Sequence, residues 1–560
     1  MTSHLPSADL KLIYFKILAA TFTLLAFIGA FKNYSPIPVG DMWNGYLDFY
    51  VKASQGDLKV WWSQHNEHRI LLSRILFFVD LLVFSGRGFF LICMNYLTLS
   101  MVCLIFWKIW REVTNLNHKW AFYFLVAWLF SWQQKENLVW GFQTQFIIAQ
   151  LFPLCAFYFI HLANKANEKR NLEFNLAILF AILSVGTMAN GILAMPLLLT
   201  FSILARFPLR RILKIFFLSI LVIVVYFCGY HSPEGHNNPL SVFIQNPFWL
   251  IGYCLLYLGG PFLAIFGKTT FGYALIMFAG LFIPYSFFIF FKELIFTNKK
   301  NSIFLVLLIF ILFVLLTAFI TASGRVNFGI SQALSSRYET PVLMAWAACI
   351  LLYLPKIIQL PKIKFLTVKV FSLAVLLLLL PKQFEALKSI DNQLFENYIA
   401  VMALELGIND QEQIKNIFPY PDWAFQVSKV PIEQNLSIFG IEPIKDAKEL
   451  LDNNLINKNH TNLKDCDGVF DDVKIINEDS DFLRLYGYLV SKNDLKTIPS
   501  FAQLIDNENV IKGGIFINKK FKKTSAGNTF KMKGYIKKEM LGKKVEFIDF
   551  STACHFYFTL

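Results

Sequence analysis

The chain has 560 residues, of which 56% are hydrophobic and 17% aromatic, and its mean hydropathy is +0.50. This composition excludes an ordinary soluble protein of that length and indicates a chain embedded in a membrane. The net charge of +14 comes without a recognisable module for reading nucleic acid. We therefore expect no nucleic-acid partner, and we place the lysines and arginines in cytoplasmic loops and against anionic membrane lipids.

Long apolar runs follow one another through the first 381 residues. They are continuous rather than alternating, which predicts membrane-spanning helices. The first run, 12–31, ends without a small-residue cleavage site and is predicted to remain as a span. Between the runs lie five segments rich in lysine and arginine: 108–119, 165–170, 206–214, 292–300 and 356–364. Placing these segments in the cytoplasm predicts eleven spans: 12–31, 89–107, 120–133, 144–162, 173–188, 191–205, 213–230, 271–291, 303–321, 340–355 and 365–381.

Two further apolar stretches, 70–84 and 248–266, fit this count poorly. Counting both as spans would move three of the five basic segments out of the cytoplasm. We therefore expect each stretch to lie along the outer membrane face or to re-enter it, and thirteen spans is the alternative. With eleven spans and a cytoplasmic N-terminus, we expect the chain after residue 381 to lie outside the cytoplasm.

The composition becomes polar after residue 381. Residues 382–459 are predicted to form amphipathic helices, and residues 460–560 contain short strands separated by turn residues, which predicts a β-sandwich-like domain. The domains are thus 1–381, 382–459 and 460–560. Cys466 and Cys554 are the only cysteines of this region, so export would favour a disulfide between them, the alternative being two unpaired thiols. The lysine-rich stretch 512–544 is either a solvated face or a surface for anionic lipid or acidic glycan.

The first outside loop, 32–88, carries the first group of candidate site residues. Asp41 follows the first span by about ten residues, where a carboxylate can take a proton from a sugar hydroxyl or help to hold a divalent cation. Asp48 and Asp57 are expected to be solvated acids.

The same loop contains 61-WWSQHNEHRI-70. Its residues Glu67, His68 and Arg69 could form the edge of an active site held against the bilayer, whereas His65 is expected to be solvated. The alternative is a polar helix cap, with the tryptophan pair anchored at the lipid headgroups.

Two later segments carry further candidates. Arg325 and Arg337 bracket an outside loop, and their forked donors suit phosphate oxygens, with Tyr338 beside them. The alternative is a pair of snorkelling arginines at span ends. The segment 131–146 includes Glu136 and Gln143 among amides and aromatic rings, which suit a sugar or an interfacial belt equally. The stretch 231–239 has two histidines and a glutamate without a metal-binding spacing, and it is expected to be a loop.

The first loop resembles that of the type C (GT-C) glycosyltransferases. The resemblance rests on Asp41, on 56-GDLKVWW-62, on 65-HNEHR-69 and on the apolar stretch 70–88 with its glycine turn, and it extends over about residues 10–380. It implies an α-helical polytopic fold in a bacterial inner membrane, a polyprenyl-phosphate-linked sugar donor, an extracytoplasmic site and a first-loop acid as base, which here is Asp41. It also places Glu67, His68 and Arg69 where members of the fold contact the donor phosphate or the acceptor, so that His68 or Arg69 would neutralise the phosphate and Glu67 would orient them. The chain has a single acid where some members have a pair, so a divalent cation, Mg²⁺ or Mn²⁺, is left open.

These observations predict a membrane glycosyltransferase. Arg337, with Arg325 or His68, would hold the donor phosphate, and Asp41 would deprotonate the acceptor, a surface glycolipid or polysaccharide. Direct displacement would invert the anomeric centre. The alternatives are a transporter or flippase of lipid-linked glycan, since many spans and outward arginines suit one equally, and a non-catalytic envelope assembly protein.

Overall fold

The computed structural model describes residues 7–165, 170–232, 244–296, 301–388, 391–445, 447–455, 464–477, 480–491, 500–524, 527–550 and 554–560. The chain forms two compact units. The first comprises residues 1–34, 61–76 and 89–388, and the second comprises residues 35–60, 77–88 and 389–560. Two segments of the predicted first loop, 35–60 and 77–88, therefore fold together with the C-terminal part of the chain.

The described part of the chain is mostly helical. Its α-helices are, in chain order, α1 (Ser7–Lys32), α2 (Asp48–Ser54), α3 (Leu71–Val83), α4 (Phe89–Thr114), α5 (Lys119–Leu129), α6 (Lys135–Val139), α7 (Thr144–Lys165), α8 (Asn171–Ser184), α9 (Ala194–Leu204), α10 (Leu209–Phe227), α11 (Pro247–Gly259), α12 (Leu263–Phe266), α13 (Thr270–Gly280), α14 (Phe282–Phe296), α15 (Ser302–Arg325), α16 (Glu339–Ile358), α17 (Lys362–Phe384), α18 (Asp391–Glu405), α19 (Gln411–Ile414), α20 (Pro421–Val427), α21 (Lys429–Glu433) and α22 (Ala447–Leu450).

Eight helical segments among the described residues are long and apolar enough to cross a membrane, which is the pattern of a multi-pass membrane protein. They are Leu12–Lys32, Phe89–Thr114, Gly141–Lys165, Pro247–Phe266, Thr270–Phe296, Ser302–Phe328, Ser336–Ile358 and the segment that begins at Lys362.

Several predicted elements differ in length from these helices. The stretch 248–266, expected at the membrane surface, is one of the long apolar segments, because α11, a short 3₁₀ turn and α12 continue one another. The predicted span 120–133 is reduced to α5, whose 11 residues rise only about 16 Å against a hydrocarbon core of roughly 30 Å. The helices α8 and α9 are also short, so apolar runs overstate span length where a helix ends inside the run.

The first unit is built around α7, α15 and α16. Nearly every residue of α15 from Ile303 to Phe313 is buried, as expected of a helix that is apolar all round. Next to this core, α11 and α13 approach through glycines. A Cβ atom at Gly259 would lie 2.0 Å from the Ile276 carbonyl oxygen, and one at Gly280 would lie 2.1 Å from the Leu255 carbonyl oxygen. Only glycine permits this separation of the two backbones.

The second unit contains one curled sheet of eight strands in place of the expected two-sheet sandwich. Its strands are β1 (Lys464–Asp465), β2 (Asp467–Ile475), β3 (Phe482–Ser491), β4 (Ser500–Ile505), β5 (Ile511–Thr524), β6 (Gly527–Lys537), β7 (Lys544–Asp549) and β8 (Cys554–Thr559), in the order β1-β8-β7-β4-β5-β6-β3-β2. The two edge strands are consecutive in the chain, with only Cys466 between them. The sheet therefore curls back on itself and encloses an apolar core that includes Leu485, Ile515 and Phe547.

Cys466 and Cys554 form a disulfide with their Cα atoms 5.7 Å apart. The bond lies where the two edges of the curled sheet come together, because β1 pairs in parallel with β8. The Cys466 N–H also donates to the His555 carbonyl oxygen at 3.1 Å. Backbone pairing and a covalent link thus close the sheet at the same point.

A buried ion pair lies between the helical part and the sheet of the second unit. Arg484 of β3 donates to both carboxylate oxygens of Asp410, at 2.9 and 2.8 Å, and the Tyr535 hydroxyl donates to the same carboxylate at 2.9 Å. Segments of the predicted first loop are bound by backbone hydrogen bonds, Gly40 N–H to Ile417 O and Ser437 N–H to Ser85 O, both 2.7 Å. Residues 35–60 and 77–88 are in this way integral to the unit.

Candidate functional site

A tight turn in the first unit presents Glu67. The backbones of His65 and His68 exchange two hydrogen bonds, of 2.8 and 2.9 Å, so residues 66 and 67 form the tip of a two-residue turn. Asn66 has φ of 49°, and asparagine is among the residues that tolerate this left-handed region best. The local sequence His-Asn-Glu-His therefore places the Glu67 carboxylate at the end of a rigid turn.

Glu67 meets Arg325 although the two residues are 258 positions apart. The Arg325 Nη2 atom lies 2.5 Å from Glu67 Oε1, and the His68 Nε2 atom lies 3.5 Å from the same oxygen. Burial acts to raise the pKa of Glu67, but electrostatic attraction to His68 and to Arg325, and the arginine hydrogen bond, outweigh it and lower the pKa to about 2. Glu67 is therefore ionised throughout the physiological pH range, and it links two segments that were predicted separately as site residues.

His68 is oriented by a second contact. Its Nδ1 atom accepts the Ala189 backbone N–H at 3.2 Å, which requires a lone pair on Nδ1 and leaves the proton on Nε2. The imidazole therefore points its N–H at Glu67.

Arg69, the other predicted phosphate ligand of the turn, is engaged through all three of its guanidinium nitrogens. Its guanidinium donates to the carbonyl oxygens of Trp62, Tyr226 and Cys228 at 2.5, 2.8 and 2.7 Å, and the side chain is buried. This arrangement favours a role in fixing the loop 61–70 against the end of α10. Because all three guanidinium nitrogens bind carbonyl oxygens, Arg69 has little left to offer a ligand.

His65 is buried, and the expectation that it would be solvated was wrong. Only 7% of the residue is exposed, and its ring packs edge-on against Phe142 with ring centroids 5.4 Å apart. Burial, and after it the nearby charge of Arg74, lowers the pKa of His65 to about 3, so the ring is neutral. The sequence around His65 does not indicate that it is buried, because the ring that covers it, Phe142, comes from a segment far along the chain.

The segments predicted around residues 131–146 and 323–346 meet each other. The Asn137 amide donates to Arg337 O at 2.9 Å and to Thr340 Oγ1 at 2.7 Å, and Ser336 Oγ donates to Gln133 O at 2.8 Å. Together with the His65–Phe142 contact, these bonds bring all three predicted constellations of the first unit into one region.

Glu136 and Gln143 have different environments in this region. Glu136 donates its backbone N–H to Ser336 Oγ at 3.2 Å and keeps its side chain half-buried. Gln143 is buried, and its Oε1 atom has no hydrogen-bond partner among the described residues. A buried acceptor without a partner is costly and is the kind of atom that a ligand hydroxyl can satisfy.

Arg337 and Tyr338 lie at the start of α16. Arg337 Nε contacts Ser335 Oγ at 3.3 Å, and its guanidinium carbon lies 5.7 Å from the centre of the Tyr338 ring. Within the described chain, no other hydrogen bond holds this guanidinium, so four of its five N–H donors can serve an anion. Tyr338 is buried against Tyr257, with ring centroids 5.3 Å apart.

Asp41 belongs to the second unit. It is half-buried at the start of a turn whose Gly45 N–H donates to Asp41 O at 2.8 Å, and the neighbouring Trp43 ring donates to Pro38 O. Its role as base stays a prediction. Of the other two loop acids, Asp48 pairs with Lys52 at 2.7 Å, and Asp57 accepts the Lys59 N–H.

Asp80 lies in the stretch 70–84, which is expected at the outer membrane face, yet it is fully buried. Its Oδ2 accepts the Tyr46 hydroxyl at 2.5 Å and the Gly88 N–H at 3.1 Å. Burial raises the pKa of Asp80 to about 6, although both hydrogen bonds act to lower it. The signal that could have identified it is a lone acid in the otherwise apolar run 75–84.

A large apolar cleft of about 1170 Å³ lies alongside α5, α13, α14, α16 and α17. Its lining is almost entirely aliphatic and aromatic and includes Trp128, Phe282 and Trp346. Trp346 follows Tyr338 on the same helix by eight residues, a rise of roughly 12 Å. The helix α16 thus begins next to Arg337 and lines the apolar cleft further along its length.

The divalent cation, Mg²⁺ or Mn²⁺, stays open. No group of three or more histidine, cysteine, aspartate or glutamate residues in the described ranges is placed to hold a metal ion. The candidate loop 231–239 lies outside the described residues from position 233 onward.

Comparison of the chain with models of known protein families, with curated proteins and with solved structures yields no match.

Proposed function

We propose that this protein is a membrane glycosyltransferase that moves a sugar from a polyprenyl-phosphate donor to a surface glycolipid or polysaccharide. The observation that carries the proposal is the meeting of Glu67, His68 and Arg325 in the same region as the start of α16, where Arg337 lies. Two arginines, an oriented histidine and unsatisfied amides at the ends of apolar helices suit a ligand with an anionic head group and hydroxyls.

Arg337 and Arg325 divide the work of binding the donor phosphate. Arg337 has most of its donors available and acts as the main phosphate ligand. Arg325 is held by Glu67 through one nitrogen, so its remaining donors keep a fixed direction. We assign no phosphate contact to Arg69, because its donors already bind carbonyl oxygens.

The acceptor hydroxyl oxygen forms a bond to the anomeric carbon while the bond from that carbon to the phosphate oxygen breaks. Asp41 takes the hydroxyl proton, polyprenyl phosphate leaves, and the arginines stabilise the charge that develops on it. A single displacement of this kind inverts the anomeric centre.

The apolar cleft suits the hydrocarbon part of the same donor. At about 1170 Å³ it is large enough for several isoprene units, and its aromatic lining is matched to an unsaturated chain. Because Arg337 lies in the 3₁₀ turn directly before α16 and Trp346 of α16 lies on the cleft wall, a lipid with its phosphate at the helix end can extend along the cleft.

The proposed location is the bacterial inner membrane, with the second unit in the periplasm. The disulfide Cys466–Cys554 supports export, because disulfides persist in oxidising compartments. The basic segments support a cytoplasmic side that includes 108–119 and 206–214.

One observation favours a transporter or flippase as the second candidate. Glu339 is 4% exposed near the start of a candidate span, and its Oε2 atom lacks a hydrogen-bond partner among the described residues. Carboxyl groups inside membrane spans often carry protons or ions in transporters.

Mass spectrometry of cell-surface glycans and glycolipids tests the proposal. The strains are wild type, a deletion, and the deletion complemented with Asp41→Asn, Arg325→Gln or Arg337→Gln at matched expression. We expect the deletion and all three variants to lack the same single sugar unit, because base and phosphate ligands serve one reaction. Asp57→Asn is the matched control, since this exposed acid only accepts the Lys59 N–H.

A full glycan profile in the Asp41→Asn and Arg325→Gln strains would refute the transferase. Loss of the whole glycan in the deletion, with its complete lipid-linked precursor retained inside the cell, would instead identify a transporter.

A further inference from the structure

A second cluster of chemically active side chains lies at the other end of α15 from Arg325. Ser302 is the first residue of this helix and Arg325 is the last, so about 35 Å of helix separates them. The cluster joins Ser302 to His161 near the end of α7 and to Glu112 near the end of α4. None of the three takes part in the proposed sugar transfer.

The ionised state of Glu112 fixes which atom donates in each hydrogen bond of the cluster. His161 Nε2 lies 3.0 Å from Glu112 Oε2, and His161 Nδ1 lies 2.8 Å from Ser302 Oγ. An ionised carboxylate can only accept, so Nε2 carries the proton and Nδ1 presents its lone pair to the serine hydroxyl. The Ser302 O–H therefore donates to a histidine that a carboxylate orients, which is the arrangement of an activated serine nucleophile.

The histidine and the carboxylate are held firmly. The His161 side chain is 1% exposed, and Glu112 also accepts from Lys165 Nζ at 2.5 Å and contacts the Tyr158 hydroxyl at 3.4 Å. Lys165 keeps Glu112 ionised, and Glu112 acts as a positioning residue for His161.

Ser302 lines a pocket. A hydrogen bond that only linked two helix ends would not require a pocket beside it. The pocket has a volume of about 330 Å³ and is lined by Ser302, by the polar residues Asn164, Arg206 and Asn301, and by aliphatic residues such as Ile203 and Leu305. This size and lining suit a short acyl group next to a polar carbonyl. The positive end of the long helix α15 lies at Ser302 and favours negative charge developing there.

We propose that Ser302, His161 and Glu112 form a second active site that cleaves carboxylic esters with short acyl chains. Ser302 Oγ forms a bond to the acyl carbon, and its proton passes to His161 Nδ1. The bond from the acyl carbon to the alcohol oxygen breaks, and the alcohol leaves with that proton. Water, deprotonated by His161, then attacks the acyl-serine, so that carboxylic acid is released and Ser302 regains its proton. This activity does not rest on the proposed sugar transfer.

The test uses the purified full-length protein in detergent with a fluorophosphonate probe and with p-nitrophenyl butyrate. We expect mass spectrometry to locate the phosphonate on Ser302 of the wild-type protein. Ser302→Ala should abolish that label and lower ester hydrolysis by about 10²–10⁴-fold, and Glu112→Gln should lower it with little change in KM. The matched control is Ser323→Ala on the same helix, whose hydroxyl bonds only the Phe319 carbonyl in the described contacts.

A wild-type protein that carries no phosphonate on Ser302 and hydrolyses the ester no faster than Ser302→Ala would overturn the proposal. Mapping the label in the wild-type protein needs no variant, so the test holds even where a substitution impairs folding. A structural link alone would lower the melting temperature in His161→Ala and leave the wild-type serine unlabelled.

Discussion

Glu67 and Asp80 are acids of the same loop whose environments move their pKa values in opposite directions. Glu67 faces Arg325 and His68, and the attraction lowers its pKa to about 2 in spite of burial. Asp80 has only neutral partners, Tyr46 and Gly88, so burial prevails and raises its pKa to about 6. Glu67 is therefore a permanent anion, whereas Asp80 is a group that titrates close to physiological pH.

Asp80 makes stability depend on pH. Because its folded pKa of about 6 is above the ordinary value of 3.8, the folded state binds the proton more tightly than the unfolded state does. The corresponding stability is complete below pH 3.8 and is lost as pH rises through 6, by roughly 3 kcal/mol in total. We expect the melting temperature in detergent to fall across this range in the wild type, and Asp80→Asn to remove that component.

Asp48→Asn is the control for Asp80, since Asp48 is an acid of the same unit that pairs with Lys52. An Asp80→Asn protein with the same pH profile as the wild type would mean that Asp80 is not the titrating group.

The pair Glu67–Arg325 should show coupling in a double-mutant cycle. Glu67→Gln and Arg325→Gln each break a short ion pair that is only partly exposed, so the double variant should lose about 1–2 kcal/mol less than the sum of the single variants. Because the pKa of Glu67 is lowered, this stabilisation is complete above pH 4.5 and is lost as pH falls towards 2. Additive melting shifts at pH 7 would show that the pair contributes no stability.

The sequence identified residue types better than it identified partners. Arg325 and Arg337 are candidates because their forked donors suit phosphate oxygens, and Glu67 because it can orient its basic neighbours, and both arguments are local. The difference between Arg69 and Arg325 is not local. The Arg69 guanidinium donates to the carbonyl oxygens of Tyr226 and Cys228, which lie 157 and 159 positions further along the chain. No pattern around residue 69 predicts these distant partners.

At the scale of elements, the apolar runs located helices but not their lengths. Continuous hydropathy predicted spans at 120–133 and 191–205, where helices of only 11 residues form. It also predicted a surface position for 248–266, because the count followed charged loops rather than helix length. Short alternating strands fit a sandwich and a curled sheet equally, so the sequence predicts the sandwich. Only the pairing of β1 with β8 distinguishes the two folds.

The contact between α11 and α13 should be sensitive to a single methyl group. Gly259→Ala places a Cβ atom 2.0 Å from the Ile276 carbonyl oxygen, so the helices must separate, at a cost of about 1–3 kcal/mol or more. We expect a clear fall in melting temperature. Gly252→Ala on the same helix is the control, because its nearest neighbour is a flexible Ile330 methyl group at 3.2 Å. Equal melting temperatures for the two variants would mean that the helices are not closely packed through Gly259.

At the scale of the whole molecule, three separate segments of the chain form the second unit: 35–60, 77–88 and 389–560. The predicted first loop is therefore not a free loop. Its residues 61–76 belong to the unit of apolar helices, and the segments on either side belong to the unit that contains the sheet.

The disulfide should stabilise the second unit by about 2–4 kcal/mol, since it links positions 88 residues apart. We expect Cys466→Ser to lower the melting temperature of the purified protein under oxidising conditions and to make it insensitive to dithiothreitol. Cys93→Ser is the control, because Cys93 is an unpaired cysteine on an apolar helix. If dithiothreitol leaves the wild-type melting temperature unchanged, the bond does not contribute.

The pairing of β1 and β2 with opposite ends of the sheet has a consequence for biosynthesis. The two-residue strand β1 is made about ninety residues before Cys554 and His555, with which it pairs, and β7 also lacks its partner on that side until β8 arrives. If the unit crosses the membrane during synthesis, most of the sheet emerges with one exposed edge that invites pairing with other chains. A chaperone or thiol oxidase that binds the emerging chain would therefore act in the interval between the emergence of Cys466 and that of Cys554.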